Sequence, residues 1–202
     1  MKFEKEYYTT NNYKDYLLRK GRYQKLAKEI DEFLYTLGFN FKNKSVLDYG
    51  CAVGFLMEGL KEIGYKKIKG IEISEWAKSI VKSKKLTILN PNKIPHQDLV
   101  FFLDVLEHIQ ESEVNKILKN INTDFILVRI PVCKKDNGDF YLEISEKDPT
   151  HINRKTKKTW VNVFNSNEFD LVSFINLNII YNSEGVFCAL FKNKKIRLLD
   201  IV

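Results

Sequence analysis

The stretch from Val46 to Leu56 combines residue types that could form a ligand site. A buried-strand pattern ends there in a carboxylate, and a glycine loop follows and leads into a helix pattern. The residues are Val46-Leu47-Asp48-Tyr49-Gly50-Cys51-Ala52-Val53-Gly54-Phe55-Leu56. Glycines let a ligand approach the backbone closely, and the first turn of a helix has free N–H groups. Because ligands of open α/β sheets bind beyond the carboxyl ends of strands, this stretch predicts a binding site.

The spacing of the loop limits the kind of ligand. It reads Asp48-x-Gly50-x-x-x-Gly54, not the Gly-x-Gly-x-x-Gly that receives a pyrophosphate. A carboxylate at the strand end repels phosphate and favours a cation. The next strand pattern ends near Glu72, where an acid can accept both hydroxyls of a ribose. We therefore expect a ligand with an amino group and a ribose and with no phosphate between them.

These residues must be positioned by a regular alternation of strands and helices. Strands are predicted over 45–47, 67–73, 86–89, 99–103, 125–130, 169–181 and 186–191. Helices are predicted before Gly38, over 54–63, after a Ser74 cap, over 111–120 and near 156–164. The turn residues 182–185 make the last two strands a hairpin. The fold class is α/β, a doubly wound, mostly parallel seven-stranded sheet with one antiparallel strand.

A third motif, Asp104-Val105-Leu106-Glu107-His108, follows the fourth predicted strand. Together with the 48–54 loop and Glu72, it resembles the class I S-adenosylmethionine-dependent methyltransferases, most closely their small-molecule branch. The resemblance covers about residues 43–192. It implies a Rossmann-like methyltransferase fold, S-adenosylmethionine as the cofactor and methyl transfer as the activity. We expect residues 41–202 to form this domain and residues 1–40 to form an N-terminal lid segment and helix.

The resemblance also implies which residues contact the cofactor. Asp48 would hold the methionine ammonium, Glu72 would accept the ribose hydroxyls, and Ile73 would pack on the adenine. The residues expected along the methionine and ribose are Gly50, Cys51 and Ala52, with Leu103 and Asp104 passing under the methionine.

The tyrosine-rich N-terminus has two interpretations. A lid that folds over the cofactor and excludes water could be formed by Tyr8, Tyr13 and Tyr16 with Arg19 and Arg22, and one of the arginines could meet the methionine carboxylate. Alternatively, the segment is a strap that packs its rings on the sheet.

The acceptor chemistry is assigned to Asp148-Pro149-Thr150-His151, which follows the fifth strand. Similar stretches occur there in methyltransferases of sugar and cell-surface biosynthesis, which implies a hydroxyl of a sugar or surface-glycan precursor as acceptor. Asp148 could polarise His151, whose imidazole would take the hydroxyl proton. The alternative is that Asp148 starts a turn on which His151 packs.

The third motif also offers residue types that could hold a metal ion. If helical, Asp104, Glu107 and His108 would share a face at i, i+3 and i+4 and could hold an ion. Acids at a helix start are also favoured by the helix dipole. We adopt this second interpretation and expect no metal.

The net charge and the composition limit the classes of partner that the protein is expected to bind. The 202 residues carry a net charge of +7. This surplus comes from 28 lysines and only 5 arginines, a balance that says less about nucleic acid than an arginine-rich surface would. The cations at 154–158 lie beside the presumed acceptor loop and could attract a phosphorylated or nucleotide-linked small molecule. An RNA methyltransferase and a catalytically silent S-adenosylmethionine-binding module remain the alternatives.

Compartment is predicted from what the sequence does not contain. The N-terminus has no apolar core of a signal peptide, and no apolar run approaches the roughly 20 residues of a membrane helix. The cysteines Cys51, Cys133 and Cys188 are far apart and form no Cys-x-x-Cys pair. We expect a cytoplasmic protein without disulfides.

Overall fold

The computed structural model describes residues 3–10, 13–177, 179 and 185–196. Within these ranges the helices are Lys5–Thr9 (α1), Lys20–Thr36 (α2), Phe55–Glu62 (α3), Glu75–Ser83 (α4), Glu111–Asn120 (α5), Glu143–Glu146 (α6) and Lys157–Ser166 (α7). The strands are Ser45–Tyr49 (β1), Lys67–Ile71 (β2), Thr87–Ile88 (β3), Gln97–Leu103 (β4), Thr123–Pro131 (β5), Phe169–Phe174 (β6) and Val186–Asn193 (β7). Short 3-10 helices span Tyr16–Leu18 and Leu106–His108.

The strands form one sheet in the order β3-β2-β1-β4-β5-β7-β6. Strands β1 to β5 pair in parallel, whereas β7 is antiparallel to both of its neighbours, β5 and β6. The predicted fold class is therefore confirmed, including its single antiparallel strand. The strand order reverses between β1 and β4, so the crevice for a ligand opens at their carboxyl ends.

The sheet separates two apolar cores. Along β1, Val46 belongs to the core under α2 and α3, while the next residue, Leu47, belongs to the core under α5 and α7. Phe101 and Phe102 of β4 divide in the same way. Side chains alternate between the faces of a strand, and both faces are covered, so the central strands are apolar almost throughout.

The helix ends follow the predicted signals, and the strand ends deviate from them. Gly38 ends α2 with a φ of +85°, and the Ser74 hydroxyl accepts the Ala77 N–H at the start of α4. Strand β6 ends at Phe174 and not at 181, so the prediction was too long there. Residues 182–184 of the predicted turn lie outside the described residues.

The N-terminal segment crosses the carboxyl edge of the sheet. Tyr8 and Tyr16 are buried in one cluster with Ala52, Val53 and Phe55 of the glycine loop and α3. The segment therefore covers the region where the crevice opens. Among the helices described here, none is both long and apolar enough to cross a membrane.

Candidate functional site

The glycine loop after β1 is fixed to the end of β2. The backbone N–H groups of Gly50 and Cys51 both donate to the Ile71 carbonyl, at 2.8 and 2.9 Å. Gly50 has a φ of +79°, a conformation that glycine adopts without strain. A Cβ on Gly50 would also lie 2.6 Å from Cγ2 of Val105. This glycine is therefore required both by its backbone angle and by the close approach of the segment after β4.

Glu72 organises the loop from the neighbouring strand. Its buried carboxylate accepts hydrogen bonds from the backbone N–H groups of Ala52 at 2.8 Å, Ile73 at 2.7 Å and Ser74 at 2.8 Å. Burial raises the pKa of Glu72, and these three donors lower it. Glu72 thus ties the ends of β1 and β2 together, a structural role that the sequence did not reveal.

Asp48 ends β1 as a buried carboxylate. Burial, and then the charge of Glu72, raise the pKa of Asp48 to about 7. A carboxylate whose ionised form is disfavoured in this way gains most from a cation placed beside it. The inner wall of the crevice is therefore suited to a positively charged group, as the loop spacing predicted.

One cavity gathers the predicted cofactor residues, with a single exception. Those lining it are Tyr13, Tyr16, Asp48, Gly50, Cys51, Ala52, Glu72, Ile73, Leu103 and Asp104. Ile73 is 64% exposed, so its side chain is available to a ligand. Arg19 does not belong to the described lining; its guanidinium lies 6.0 Å from the Tyr13 ring and 5.8 Å from the Tyr16 ring. Tyr8, which the lid interpretation includes, also lines the cavity, and sequence reasoning missed five further aromatic lining residues: Phe3, Tyr7, Tyr23, Tyr49 and Phe55.

Asp104 sits where β4 ends and the chain turns sharply. It has a φ of +56°, and its N–H donates to the Arg129 carbonyl at 2.8 Å. Its carboxylate pairs with the buried Arg129 guanidinium of β5. The 3-10 helix that follows begins only at Leu106. The helical face that the metal alternative required of Asp104, Glu107 and His108 is therefore not formed.

A polar cluster lies behind the far wall of the cavity. His108 lines the cavity, whereas His151 and Asp148 do not belong to its described lining. The His108 and His151 rings are 4.6 Å apart between centroids. The His151 Nε2 is 3.7 Å from Asp148 Oδ2, so the predicted pair does meet. The residue of this cluster that faces the cavity is His108, for which the sequence suggested only the metal-ligand alternative at the third motif.

Backbone hydrogen bonds hold the two halves of this cluster together. The Glu107 carbonyl accepts the N–H groups of Ile152 and Asn153, both at 2.9 Å. The turn after β4 and the loop around His151 are thus docked on each other, although they are separated in sequence.

Burial keeps both imidazoles neutral. It lowers the pKa of His108 to about 4, with a further contribution from His151, and it lowers the pKa of His151 against the opposing charge of Asp148. Neutral imidazole can accept a proton or ligate a metal ion.

The N-terminal segment is attached at both sides of the cavity. On one side, Glu4 accepts the Trp76 N–H at the start of α4 at 3.2 Å, and the Tyr8 ring stacks on Trp76 at 5.3 Å. On the other side, the hydroxyls of Tyr7 and Tyr13 donate to Asp148. The segment therefore bridges the cavity, an arrangement that fits both the lid and the strap interpretations.

The cationic stretch at 154–158 is partly neutralised by the fold. Arg154 pairs with Glu146 at 2.9 Å, and Lys155 pairs with Glu111 at 2.8 Å. The predicted anion-attracting stretch thus has two of its four cations committed to ion pairs.

Cys133, after β5, is buried, and burial raises its pKa to about 11, as expected of an unreactive thiol.

The chain is similar to known methyltransferases both in sequence and in fold. A family model described as a methyltransferase domain matches residues 18–177. Among curated proteins, none matches the sequence significantly.

Three solved structures illustrate the similarity of this fold to those of known proteins. Magnesium protoporphyrin IX methyltransferase (ChlM) from Synechocystis PCC 6803, with bound SAH, has a TM-score of 0.61 at 17% identity over 85% of this chain and 84% of that chain. The mitomycin 7-O-methyltransferase MmcR has a TM-score of 0.65 at 12% identity over 87% of this chain. The pyocyanin biosynthetic protein PhzM has a TM-score of 0.60 at 12% identity over 82%. The chain spans about half the length of MmcR and PhzM, 54% of each. Identities this low show a shared fold.

Proposed function

The chain belongs to the methyltransferase-domain family and is an S-adenosylmethionine-dependent methyltransferase; we propose that its acceptor is a hydroxyl group of a small molecule. The observation that carries this proposal is the cavity at the carboxyl ends of β1, β2 and β4. It has carboxylates at Asp48 and Glu72 on its cofactor side and an imidazole, His108, on its far wall.

The cofactor would lie along the glycine loop. Asp48 is placed to hold the methionine ammonium, and Glu72 to accept the ribose hydroxyls in addition to its backbone donors. The exposed Ile73 would pack on the adenine. Arg19 would reach the methionine carboxylate from the rim, where it now lies against two tyrosine rings. Support for S-adenosylmethionine as the ligand comes from ChlM, a structure of the same fold that was solved with SAM and with SAH.

The transfer itself is a displacement at the methyl carbon. The acceptor oxygen forms a bond to this carbon while the carbon–sulfur bond breaks and its electron pair stays on sulfur. The hydroxyl proton must also leave, so a hydroxyl acceptor gains from polar groups at the reacting oxygen. The cluster around His108 supplies such groups, and Asp148 and His151 are our proposed contributors to this step. A sugar or glycan precursor remains the proposed acceptor class.

Two of the structurally similar proteins are named for the methylation of small molecules. MmcR is a mitomycin 7-O-methyltransferase and ChlM a porphyrin methyltransferase. The first supports an oxygen atom as the acceptor, and both support a small molecule over a nucleic acid.

Binding is tested first, by isothermal titration calorimetry with S-adenosylmethionine and S-adenosylhomocysteine. The Asp48→Asn variant should bind S-adenosylmethionine about 10- to 100-fold more weakly, because a hydrogen bond to a charged group contributes about 1.5–3 kcal/mol. Asp170→Asn is the matched control, since it makes the same change at an exposed position of β6. Equal affinity of both variants would contradict the proposed pose.

Turnover is tested by release of S-adenosylhomocysteine with a panel of sugar nucleotides, free sugars, phenols and RNA oligonucleotides. Methylation of a hydroxyl in the small molecules supports the proposal. Methylation of RNA alone, with binding that weakens steeply as salt rises, would replace it with the RNA alternative. Cofactor binding without turnover on any acceptor would point to the silent module.

A further inference from the structure

Three side chains of ligand type converge behind the cavity wall. Glu107, His108 and His151 each have a carboxylate oxygen or ring nitrogen within 4.8 Å of those of the other two. The His108 Nε2 lies 4.0 Å from Glu107 Oε1. Ligand atoms about 2.1 Å from a shared ion would be at most about 4.2 Å apart. Small side-chain rotations would therefore bring all three into coordination distance.

The polar atoms of this group lack the partners that burial normally requires. The Glu107 side chain is fully buried, and its two carboxylate oxygens have no hydrogen-bond partner among the residues that the structure describes. The Nδ1 of His151, a residue 7% exposed, is in the same situation within these ranges. Buried polar groups are almost always hydrogen-bonded, and a buried carboxylate above all. The arrangement points to an electropositive group placed between them.

The hydrogen bonds around His108 determine which of its ring nitrogens can bind an ion. The Thr150 hydroxyl donates its proton to Asp148 Oδ1, so it accepts from the His108 Nδ1 at 2.8 Å. The Nε2 of His108 is then unprotonated. Asp148 Oδ2 lies 3.7 Å from the His151 Nε2, beyond hydrogen-bond distance, and neutral imidazole keeps one ring nitrogen with a lone pair for an ion. A carboxylate behind a histidine is the usual outer partner of a metal ligand.

We propose that Glu107, His108 and His151 bind a divalent transition-metal ion of the Zn²⁺ type. Two imidazoles and one carboxylate are a ligand set that such ions take in sites with an open coordination position. Because His108 lines the cavity, the open position would face the acceptor. There the ion would bind the acceptor oxygen and lower the pKa of its hydroxyl. The proton would leave to solvent water before the oxygen attacks the methyl carbon.

This role in turnover rests on the proposed hydroxyl methylation, whereas the ion site itself does not. It also changes the part given to His151, since a lone pair bound to an ion cannot accept the acceptor's proton. In the metal-bound enzyme His151 is a ligand, and Asp148 is the positioning residue for both imidazoles.

The test titrates the full chain, stripped with a chelator and dialysed, with Co²⁺ in the absence of cofactor and acceptor. We expect one equivalent of Co²⁺ to give a visible absorption band that Zn²⁺ displaces, and either ion to raise the unfolding temperature. Glu107→Gln should weaken Co²⁺ binding at least about 100-fold, more than the 10- to 100-fold typical of outer partners. His96→Ala is the matched control, because His96 is exposed and pairs with Asp124 at 2.9 Å.

A structural role of Glu107 is distinguished by the apo protein. If the Glu107 carboxyl group serves as a metal ligand, Glu107→Gln should leave the metal-free unfolding temperature equal or higher, since this group has no hydrogen bond to lose among the described residues, and should abolish stabilisation by Co²⁺. Absence of saturable Co²⁺ binding by the wild type would overturn the proposal, as would a destabilised Glu107→Gln protein that still binds Co²⁺ with wild-type affinity.

The two proposals fail separately. Calorimetry on the stripped protein measures S-adenosylmethionine binding without metal, so loss of cofactor binding there contradicts the proposed function only. Where an acceptor is found, full methylation activity surviving exhaustive chelation would overturn only the proposed role of the ion in turnover, whereas the ion site itself is decided by the Co²⁺ titration.

Discussion

The Tyr13 hydroxyl donates a hydrogen bond to Asp148 Oδ2 at 3.2 Å, between residues 135 positions apart in sequence. Tyr7 donates to the same oxygen at 3.3 Å. A carboxylate that also positions His108 and His151 is therefore the anchor of the N-terminal segment. Asp148 therefore takes part both in the acceptor side of the site and in the attachment of the segment that covers the cofactor cavity.

Removing both hydroxyls should loosen this anchor. The double variant Tyr7→Phe/Tyr13→Phe keeps the rings and loses two hydrogen bonds to a carboxylate. We expect S-adenosylmethionine to bind about tenfold more weakly, an effect of about 1.4 kcal/mol, chiefly through faster dissociation, as measured by calorimetry and stopped-flow fluorescence. Tyr35→Phe is the control, because Tyr35 is 74% exposed on α2. A truncation of residues 1–16 should weaken binding further without unfolding the domain. Unchanged affinity in both would leave the strap as the correct interpretation.

Cofactor affinity should depend on pH through Asp48. Its pKa of about 7 in the folded protein is above its unfolded value of about 4. Ionisation is thus disfavoured in the fold, and stability from this group is lost as pH rises between these values. A cationic ligand reverses the preference. The dissociation constant should therefore fall up to about tenfold per pH unit below ~6 and level off above ~7.

The Asp48→Asn variant provides the matched comparison for this titration. Its dissociation constant should be higher than that of the wild type and flat over the same range. The ammonium of the ligand stays charged there, because an α-amino group has a pKa of about 8. A wild-type slope that persists in Asp48→Asn would assign the titration to another group.

Gly70 of β2 should not tolerate a side chain without a loss of stability. A Cβ at this position would lie 2.5 Å from Cys51 Sγ and 2.9 Å from Met57 Sδ. Gly70→Ala should lower the free energy of unfolding by about 1–3 kcal/mol, measured by urea denaturation. Gly21→Ala on α2 is the opposite case, since its nearest neighbour would be 4.0 Å away, and should stabilise by up to about 1 kcal/mol. Cys51→Ala should partly rescue Gly70→Ala; a lack of rescue would contradict the steric cause.

The ion pair of Asp104 and Arg129 should respond asymmetrically to mutation. The Arg129 side chain is fully buried, and that of Asp104 is 25% exposed. Asp104→Ala leaves a buried cation without its carboxylate and should cost about 3–5 kcal/mol. Arg129→Leu leaves a carboxylate that water can reach and should cost less. Thermal unfolding without cofactor measures both. An equal loss of stability in the two variants would show that the difference in burial between the two side chains does not determine the cost of removing each partner.

Much of the cofactor side of the site was predictable because its signals are local. The Asp48 strand end, the glycines at 50 and 54 and Glu72 are defined by backbone requirements within a few residues, and each recurs where a parallel strand ends. The same locality explains why the strand and helix alternation gave the correct sheet class. Hairpin and strand ends were less accurate, as at β6, because pairing partners decide where a strand stops.

The acceptor side was not predictable to the same degree. Asp148 and His151 were found as a pair, but that Asp148 anchors Tyr7 and Tyr13 depends on docking between segments more than 130 residues apart. The left-handed turn at Asp104 removed the helical face on which the first metal hypothesis was built. Only packing then brought Glu107 and His108 to His151.

The sequence by itself therefore determined the order of strands and helices, the parallel sheet and the acidic, phosphate-excluding character of the cofactor loop. These follow from periodicity and from glycines and acids next to strand ends. The tertiary structure decided which imidazole faces the cavity, which charges are neutralised and which carboxylate is left buried without a hydrogen-bond partner among the described residues. Those properties depend on distances between remote segments and on exclusion of water, which no local pattern encodes.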